Sequence, residues 1–367
     1  MVEPGLKILA YSLTLLIGLA ASLQDPQEDQ VENRRLIEEV ETDSIRYELF
    51  VIEDAEGTAQ EYLAEIFTPV CHTDKCYPVY INFYWDLLGN FQQFEMPEGE
   101  ILTKLDHIPF EEEDYDQLEA ILSNKNSILR DYSITDLVGS TNTAESNGVD
   151  AVTGATSKTI QNEVISGAVY SCYTLWHLAH GNLAERTRAH TEDQHTDETL
   201  IRFLESGHHP YQYWALEKIQ EKGAENDPRF AEPLLQMIRG KNIFLATHIL
   251  EELPTEMFQS QERQAWLWET FEQAPYRLQT DILEKMASLE LKPESQMKLL
   301  AQLEESNPAQ RNKLFEVLRK QQNLGKAQQE MILTYLGKGL WEQELLAVLE
   351  IQHKPEKEVK KALKNNR

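Results

Sequence analysis

Apolar positions alternate in the first half of the chain and follow helical periodicity in the second. From Arg46 to Ile52, Tyr47, Leu49 and Val51 alternate with other residues, which predicts a strand. Residues 62–70 fit a strand or a helix, because the Ala and Glu residues there allow both. Val79 to Trp85 is dense in β-branched and aromatic side chains, Asp86 to Asn90 reads as a turn, and Phe91 to Met96 can return antiparallel. Beyond Phe110, the acidic run Glu111, Glu112, Glu113 and Asp114 suits the positive end of a helix reaching about Leu122, with Asn124 and Asn126 as breakers. Ile160, Val164, Ala168, Cys172, Leu175 and Trp176 then recur at near-helical spacing. They predict one helix from about Ser157 to a stop at Gly181, on which Trp176, His177 and His180 would stand roughly 30 Å from Thr156.

From Thr196 onward strand signals vanish and breakers recur, among them Gly207, Pro228, Gly240, Pro254, Pro275, Pro293, Pro308, Gly325 and Pro355. Helix pairs are predicted to begin near Asp197, Pro228, Gln259, Pro293 and Lys326. That period of about 31 to 34 residues indicates an α-solenoid, similar to HEAT-like repeats in period and breaker placement, with tetratricopeptide repeats as the rival. Residues 182–195 are polar and read as a linker, and residues 23–45 as an acidic linker with a short helix around Glu32 to Val40. The basic tail, Lys357 to Arg367, is read as a solvated end.

Charge narrows the partners. With 62 acidic against 34 basic residues and a formal net charge of −28, the chain is no nucleic-acid binder, since phosphate contacts need clustered Lys and Arg. Lys7 precedes a mostly apolar run from Ile8 to Ala21, followed by Ser22. Its length suits a signal peptide over residues 1–22, cut after Ala20 or Ser22, and an extracytoplasmic address; an uncleaved anchor and peripheral membrane association stay open.

Of three cysteines, Cys71 and Cys76 stand five apart, and an oxidising compartment favours a local disulfide between them. A redox-active pair, or a metal site with His72, are the alternatives. Cys172 lies on the apolar face of its helix and reads as a buried thiol. His190, His195, His208 and His209 match no compact ligand spacing, and His107 reads as a local turn contact.

The densest chemical signal is Asp150-Ala151-Val152-Thr153-Gly154-Ala155-Thr156-Ser157. It resembles the covalent flavin-attachment motif of FMN-binding domains, Asp-x-x-Ser/Thr-Gly-Ala-Thr-Ser/Thr. Six constrained positions coincide by chance about once in 10⁴ to 10⁵ chains of this length. The resemblance implies that Thr156 carries FMN through a phosphoester installed from FAD by a magnesium-dependent flavin transferase, with Asp150 orienting the loop. Gly154 and Ala155 leave the backbone beside Thr156 nearly bare, and a helix starting at Ser157 would aim N–H groups at the phosphate. The plainer alternative is a turn in which Thr156 or Ser157 only caps a helix.

Residues 46–181 are thus expected to form an α+β FMN-binding domain and 196–367 an all-α, HEAT-like repeat domain. The aromatic group Tyr80, Phe83, Tyr84, Trp85 and Phe91 reads mostly as core, with a flavin-stacking surface as the alternative. The expected function is electron relay outside the cytoplasm, with the flavin transferase and a redox protein as partners. A secreted interaction scaffold with a non-catalytic flavin-type domain, and a flavin-dependent reductase of a small substrate, are the rival functions.

Overall fold

The computed structural model of the chain describes residues 33–42, 44–70, 77–134, 137 and 163–365. It divides into two compact units, Met1–Thr191 and Glu192–Arg367. A five-stranded antiparallel sheet dominates the described part of the first, and helices make up the second. Among the described residues no helix is long and apolar enough to cross a membrane.

The sheet is a meander, β1 (Asn33–Glu41), β2 (Arg46–Glu53), β3 (Ala59–Thr68), β4 (Val79–Trp85) and β5 (Phe91–Glu95), in that spatial order. Its pleat sorts side chains onto two faces. Tyr47 opposes Ile66, Ala64 opposes Phe83 and Tyr62 opposes Trp85, and all six are buried on one face. Phe50, Ile52, Leu63 and Tyr84 form a second cluster on the other. Each large side chain so buried contributes about 1.5–3 kcal/mol. The first face is covered by α2 (Val169–His180) and α3 (Asn182–Gln194): Trp85 Nε1 donates to Ala179 O at 2.7 Å, and Tyr62 Oη lies 2.7 Å from Thr191 Oγ1.

Three segments differ from the sequence expectations. Residues 33–41, expected in a linker, form the edge strand β1. Cross-strand charge pairing outweighs the poor strand propensity of its glutamates: Arg35 bonds Glu53 on β2 at 2.9 Å, and Arg34 pairs with Glu65 on β3. Residues 182–194, also expected to link, form α3, whose Leu183, Ala184, Thr187 and Thr191 make a buried stripe of small and apolar residues. The helix expected from Ser157 to Gly181 is not continuous. Residues 163–168 are turns, and α2 begins only at Val169. Gly167 takes φ +78°, which ends helical progression, and its carbonyl accepts the Leu105 N–H at 2.7 Å. The single axis that a separation of about 30 Å requires is therefore interrupted at 163–168, while Thr156 lies outside the described residues. Helix α1 (Glu112–Ser123) matches its expected span.

The second unit is built of paired helices. First members are α4 (Asp197–Glu205), α6 (Pro228–Ile238), α8 (Gln261–Gln273), α10 (Pro293–Glu305) and α12 (Lys326–Gly337). Second members are α5 (His209–Lys222), α7 (Ile243–Glu252), α9 (Tyr276–Ala287), α11 (Pro308–Leu318) and α13 (Glu342–Glu350), and α14 (Lys357–Asn365) packs on the last. Each pair is in contact, and α7, α9, α11 and α13 also pack in sequence. The breakers act as helix starts. Thr196, Asp227, Ser260 and Asn307 cap the next helix with side-chain oxygens, and Pro228, Pro293 and Pro308 open theirs.

One bond recurs inside the pairs. Gln212 Nε2, Gln279 Nε2 and Arg311 Nε reach back eight residues to the carbonyls of Leu204, Phe271 and Leu303. Between pairs, buried glutamines hold the loops. Gln321 accepts the Leu291 N–H at 2.9 Å and donates to Leu289 O at 3.1 Å; Gln352 does the same for Leu324 N and Gln321 O.

Candidate functional site

The motif residues Asp150, Thr153, Gly154, Ala155, Thr156 and Ser157, and the pair Cys71 and Cys76, lie outside the described residues. What is described is the ground on which the motif's segment rejoins the fold. Glu163 sits 3.4 Å from Asn124 Nδ2, Gln117 Nε2 donates to Val164 O, and Leu105 N–H bonds Gly167 O. Ile165 N–H points at Cys172 Sγ across 3.4 Å. Burial pushes that thiol up to about 12, so Cys172 is a protonated core residue and no nucleophile near neutrality.

The facing loop is a narrow return. Thr103 bridges Pro109, Lys104 N–H bonds Ile108 O, and Phe110 N–H bonds Leu102 O. At its tip Asp106 and His107 take φ +60° and +64°, a left-handed conformation in two successive non-glycine residues. Such residues cost of order 1–3 kcal/mol each and persist where their surroundings hold them. Here Leu105 is tied to Gly167, and the His107 ring meets Tyr77 edge-on at 4.0 Å. Tyr77 is 55 % exposed, while the His107 ring beneath it is half-buried. Beside it Lys104 Nζ bonds Asp114 at 2.7 Å. Burial raises the Asp114 carboxyl, but the Glu111 N–H and the Lys104 ammonium outweigh it and hold the group below the usual carboxylate range.

The aromatic group does not form one surface. Phe83 and Trp85 are fully buried on the helix-covered face, with Phe91 edge-on to Phe83 at 5.3 Å. Tyr84 and Tyr80 belong to the opposite face, where Tyr80 stacks at a tilt on Phe67 in a groove of about 360 Å³ shared with Arg46, Glu48 and Glu65. Successive residues on a strand point to opposite sides, which sequence density alone does not reveal.

The histidines act separately. His177 and His180 donate Nε2–H to Leu129 O and Leu122 O, at 3.0 and 2.7 Å, and burial lowers both below the ordinary imidazole range. His190 Nδ1 lies 2.9 Å from Tyr62 Oη. His195 bonds Glu192 O, and His209 bridges Gln212 and Asn242. His208 meets Tyr211 edge-on. The place of His107 at its loop tip agrees with the sequence reading of a local turn contact, but the Asp-His-Ile-Pro string does not signal the left-handed backbone of Asp106 and His107. No family model, curated protein or solved structure matches this chain, and its functional reading rests on its own residues.

Proposed function

We propose that the chain is an exported flavoprotein that carries FMN on Thr156 and relays electrons outside the cytoplasm, its helical unit being a HEAT-like repeat domain that docks a partner. The observation that carries this reading is the eight-residue pattern from Asp150 to Ser157. Attachment from FAD would form a bond between Thr156 Oγ and the FMN phosphorus. It would break that phosphorus's bond to the bridging oxygen, releasing AMP, and pass the hydroxyl proton to a base of the transferase.

The described frame supports the reading in two ways. The segment after the motif is anchored at Val164, Ile165 and Gly167, which gives the chain leaving the motif a fixed attachment to the fold. The exposed ring of Tyr77, edge-on to His107 on the loop that Leu105 ties to Gly167, offers an aromatic group that a flavin could meet. When bound, the flavin would supply the redox chemistry; the chain's own residues would hold and orient it. The same compartment would join Cys71 to Cys76.

The test is the mass of the protein made together with a flavin transferase and exported. It should carry one FMN less one water, lost entirely in Thr156→Ala and retained in large part in Thr153→Ala. Flavin on Thr153, or none beside an active transferase, would overturn the assignment.

A further inference from the structure

The second helices carry an aromatic face that no other part of the unit covers. Phe244, the second residue of α7, is 84 % exposed, the largest exposure of any large apolar side chain among the described residues. Tyr213 on α5 and Tyr276 on α9 are 38 % and 51 % exposed. These helices lie side by side: α7 packs on α9, and Tyr213 meets His248 of α7 at 5.3 Å. Burying an aromatic side chain is worth a few kcal/mol, so three left open on adjacent helices form a binding face.

Charge tells what covers it. The ninth residue of every second helix is an exposed glutamate: Glu217, Glu251, Glu284, Glu316 and Glu350. Phe244 and Glu251 are seven residues apart, and Tyr213 and Glu217 four, so each of these two aromatics shares a helix face with its glutamate. Lys313 bonds both Glu284 and Glu316, at 3.0 and 3.2 Å. Glu217 and Glu251 have no ion-pair partner among the described residues, and Lys285 instead donates to the carbonyls of Glu251 and Leu253. Among the described residues Glu217 and Glu251 thus stand without an ion pair on the helices of Tyr213 and Phe244, as Glu350 does on α13, while Glu284 on the helix of Tyr276 is paired with Lys313.

We infer that the α5–α7–α9 face docks a basic polypeptide segment, whose apolar side chains seat on Tyr213, Phe244 and Tyr276 and whose Lys or Arg groups meet Glu217 and Glu251. The inference rests on the reading of the helical unit as a docking domain and is independent of the flavin. A chain of net charge −28 repels anionic lipid and nucleic acid, which leaves a cationic protein as the occupant.

The test uses the full chain and two labelled synthetic peptides, one of lysine and leucine at amphipathic helical spacing, one of lysine alone. The amphipathic peptide should bind more tightly, with an affinity that falls as salt rises. Phe244→Ser should weaken it roughly tenfold, the scale of an interface aromatic. Glu217→Gln with Glu251→Gln should weaken it by a similar factor and flatten the salt dependence. Glu262→Gln with Glu294→Gln, on exposed positions of the first helices, should change it by less than about twofold. All the substituted side chains are exposed, so folding is checked by unchanged circular dichroism. Equal loss in the control pair, equal binding of polylysine, or no binding at low salt would overturn the proposal. Self-association abolished by Phe244→Ser would also overturn it, giving the face to a second copy. Binding that persists on another surface would remove this face and leave the docking reading standing. Unchanged binding in flavin-free Thr156→Ala separates both from the flavin assignment.

Discussion

His180 donates its Nε2–H to the carbonyl of Leu122 across 2.7 Å, and so closes the end of α1 from a different helix. The last four carbonyls of a helix lack partners within it, and α1 ends at Asn124 in a non-helical conformation. Trp176 Nε1, 3.0 Å from Asn124 O, and His177 Nε2, 3.0 Å from Leu129 O, serve the same stretch from the same helix, α2. Two neighbouring donors on α2, His180 and Trp176, thus do what a C-terminal glycine does elsewhere, and His177 holds the turn that follows.

Both imidazoles are neutral in this arrangement, burial having lowered their affinity for protons. A histidine whose folded value lies below its unfolded value of about 6.5 contributes stability that is complete above that pH. The contribution is lost as pH falls toward the folded value, because the unfolded chain takes up the proton first. The first unit should therefore lose stability between about pH 7 and about pH 5. His180→Gln keeps a donor for Leu122 O but removes the titration, so its melting temperature should fall less over that interval than the parent's. Tryptophan-detected melts at stepped pH read this directly; parallel curves for parent and variant would refute it.

Gly89 sets how closely α3 approaches the hairpin. It takes φ +73°, and a Cβ there would lie 2.4 Å from Ala184 O and 3.0 Å from Thr187 Oγ1. Backbone cannot yield as a flexible side chain can, so Gly89→Ala combines a strained conformation with a steric clash. A loss of about 2–4 kcal/mol is expected. Urea unfolding followed by tryptophan emission measures it, and a loss under about 1 kcal/mol would mean that α3 shifts freely.

Much of the fold is readable in the sequence wherever local chemistry and tertiary setting agree. Val79 to Trp85 could be little else than a buried strand, and the Ser, Asp and Asn caps and the prolines place the helix starts of the second unit within about two residues. The misses share one cause. Residues 33–41 and 182–194 are polar, and their structures come from distant partners: Glu53 and Glu65 for the strand, Tyr62 and Glu38 for the helix. The break before Val169 depends on Leu105, over sixty residues away, which no local periodicity can signal. The glutamate at the ninth position of each second helix was legible, but only once the helix starts were aligned.

Gln321 tests the glutamine stitching. It is 3 % exposed, and its amide both accepts from Leu291 N–H and donates to Leu289 O. Gln321→Leu preserves bulk but strands a buried donor and a buried acceptor, each costing about 1–3 kcal/mol. A total near 2–4 kcal/mol is expected. An exposed glutamine such as Gln261 replaced in the same way should cost under about 0.5 kcal/mol. Thermal denaturation followed at the helical circular-dichroism band compares them, and equal losses would show that the amide contacts contribute nothing.

The boundaries of the first unit give the last prediction. A fragment of residues 46–181 contains β2 to β5, α1 and α2, but omits both β1 and α3. Without β1, the edge of β2 opens a row of unpaired backbone groups over Leu49 and Val51, a template for aggregation. Without α3, Tyr62, now 1 % exposed, loses the Thr191 and His190 bonds to its hydroxyl, and Gly89 loses the helix packed against it. A fragment of residues 33–194 restores all of these, together with the Arg186–Glu38 ion pair at 2.6 Å that ties α3 to β1. The longer fragment should unfold in one cooperative transition and run as a monomer on size exclusion, whereas 46–181 should aggregate or melt without a transition. Tyr62→Phe within 33–194 should cost about 1–2 kcal/mol, since it removes the buried hydroxyl but keeps the ring. A stable, monomeric 46–181 fragment would show that the edge strand and α3 are accessories to the sheet, and would return the unit to the narrower boundaries that local patterning suggests.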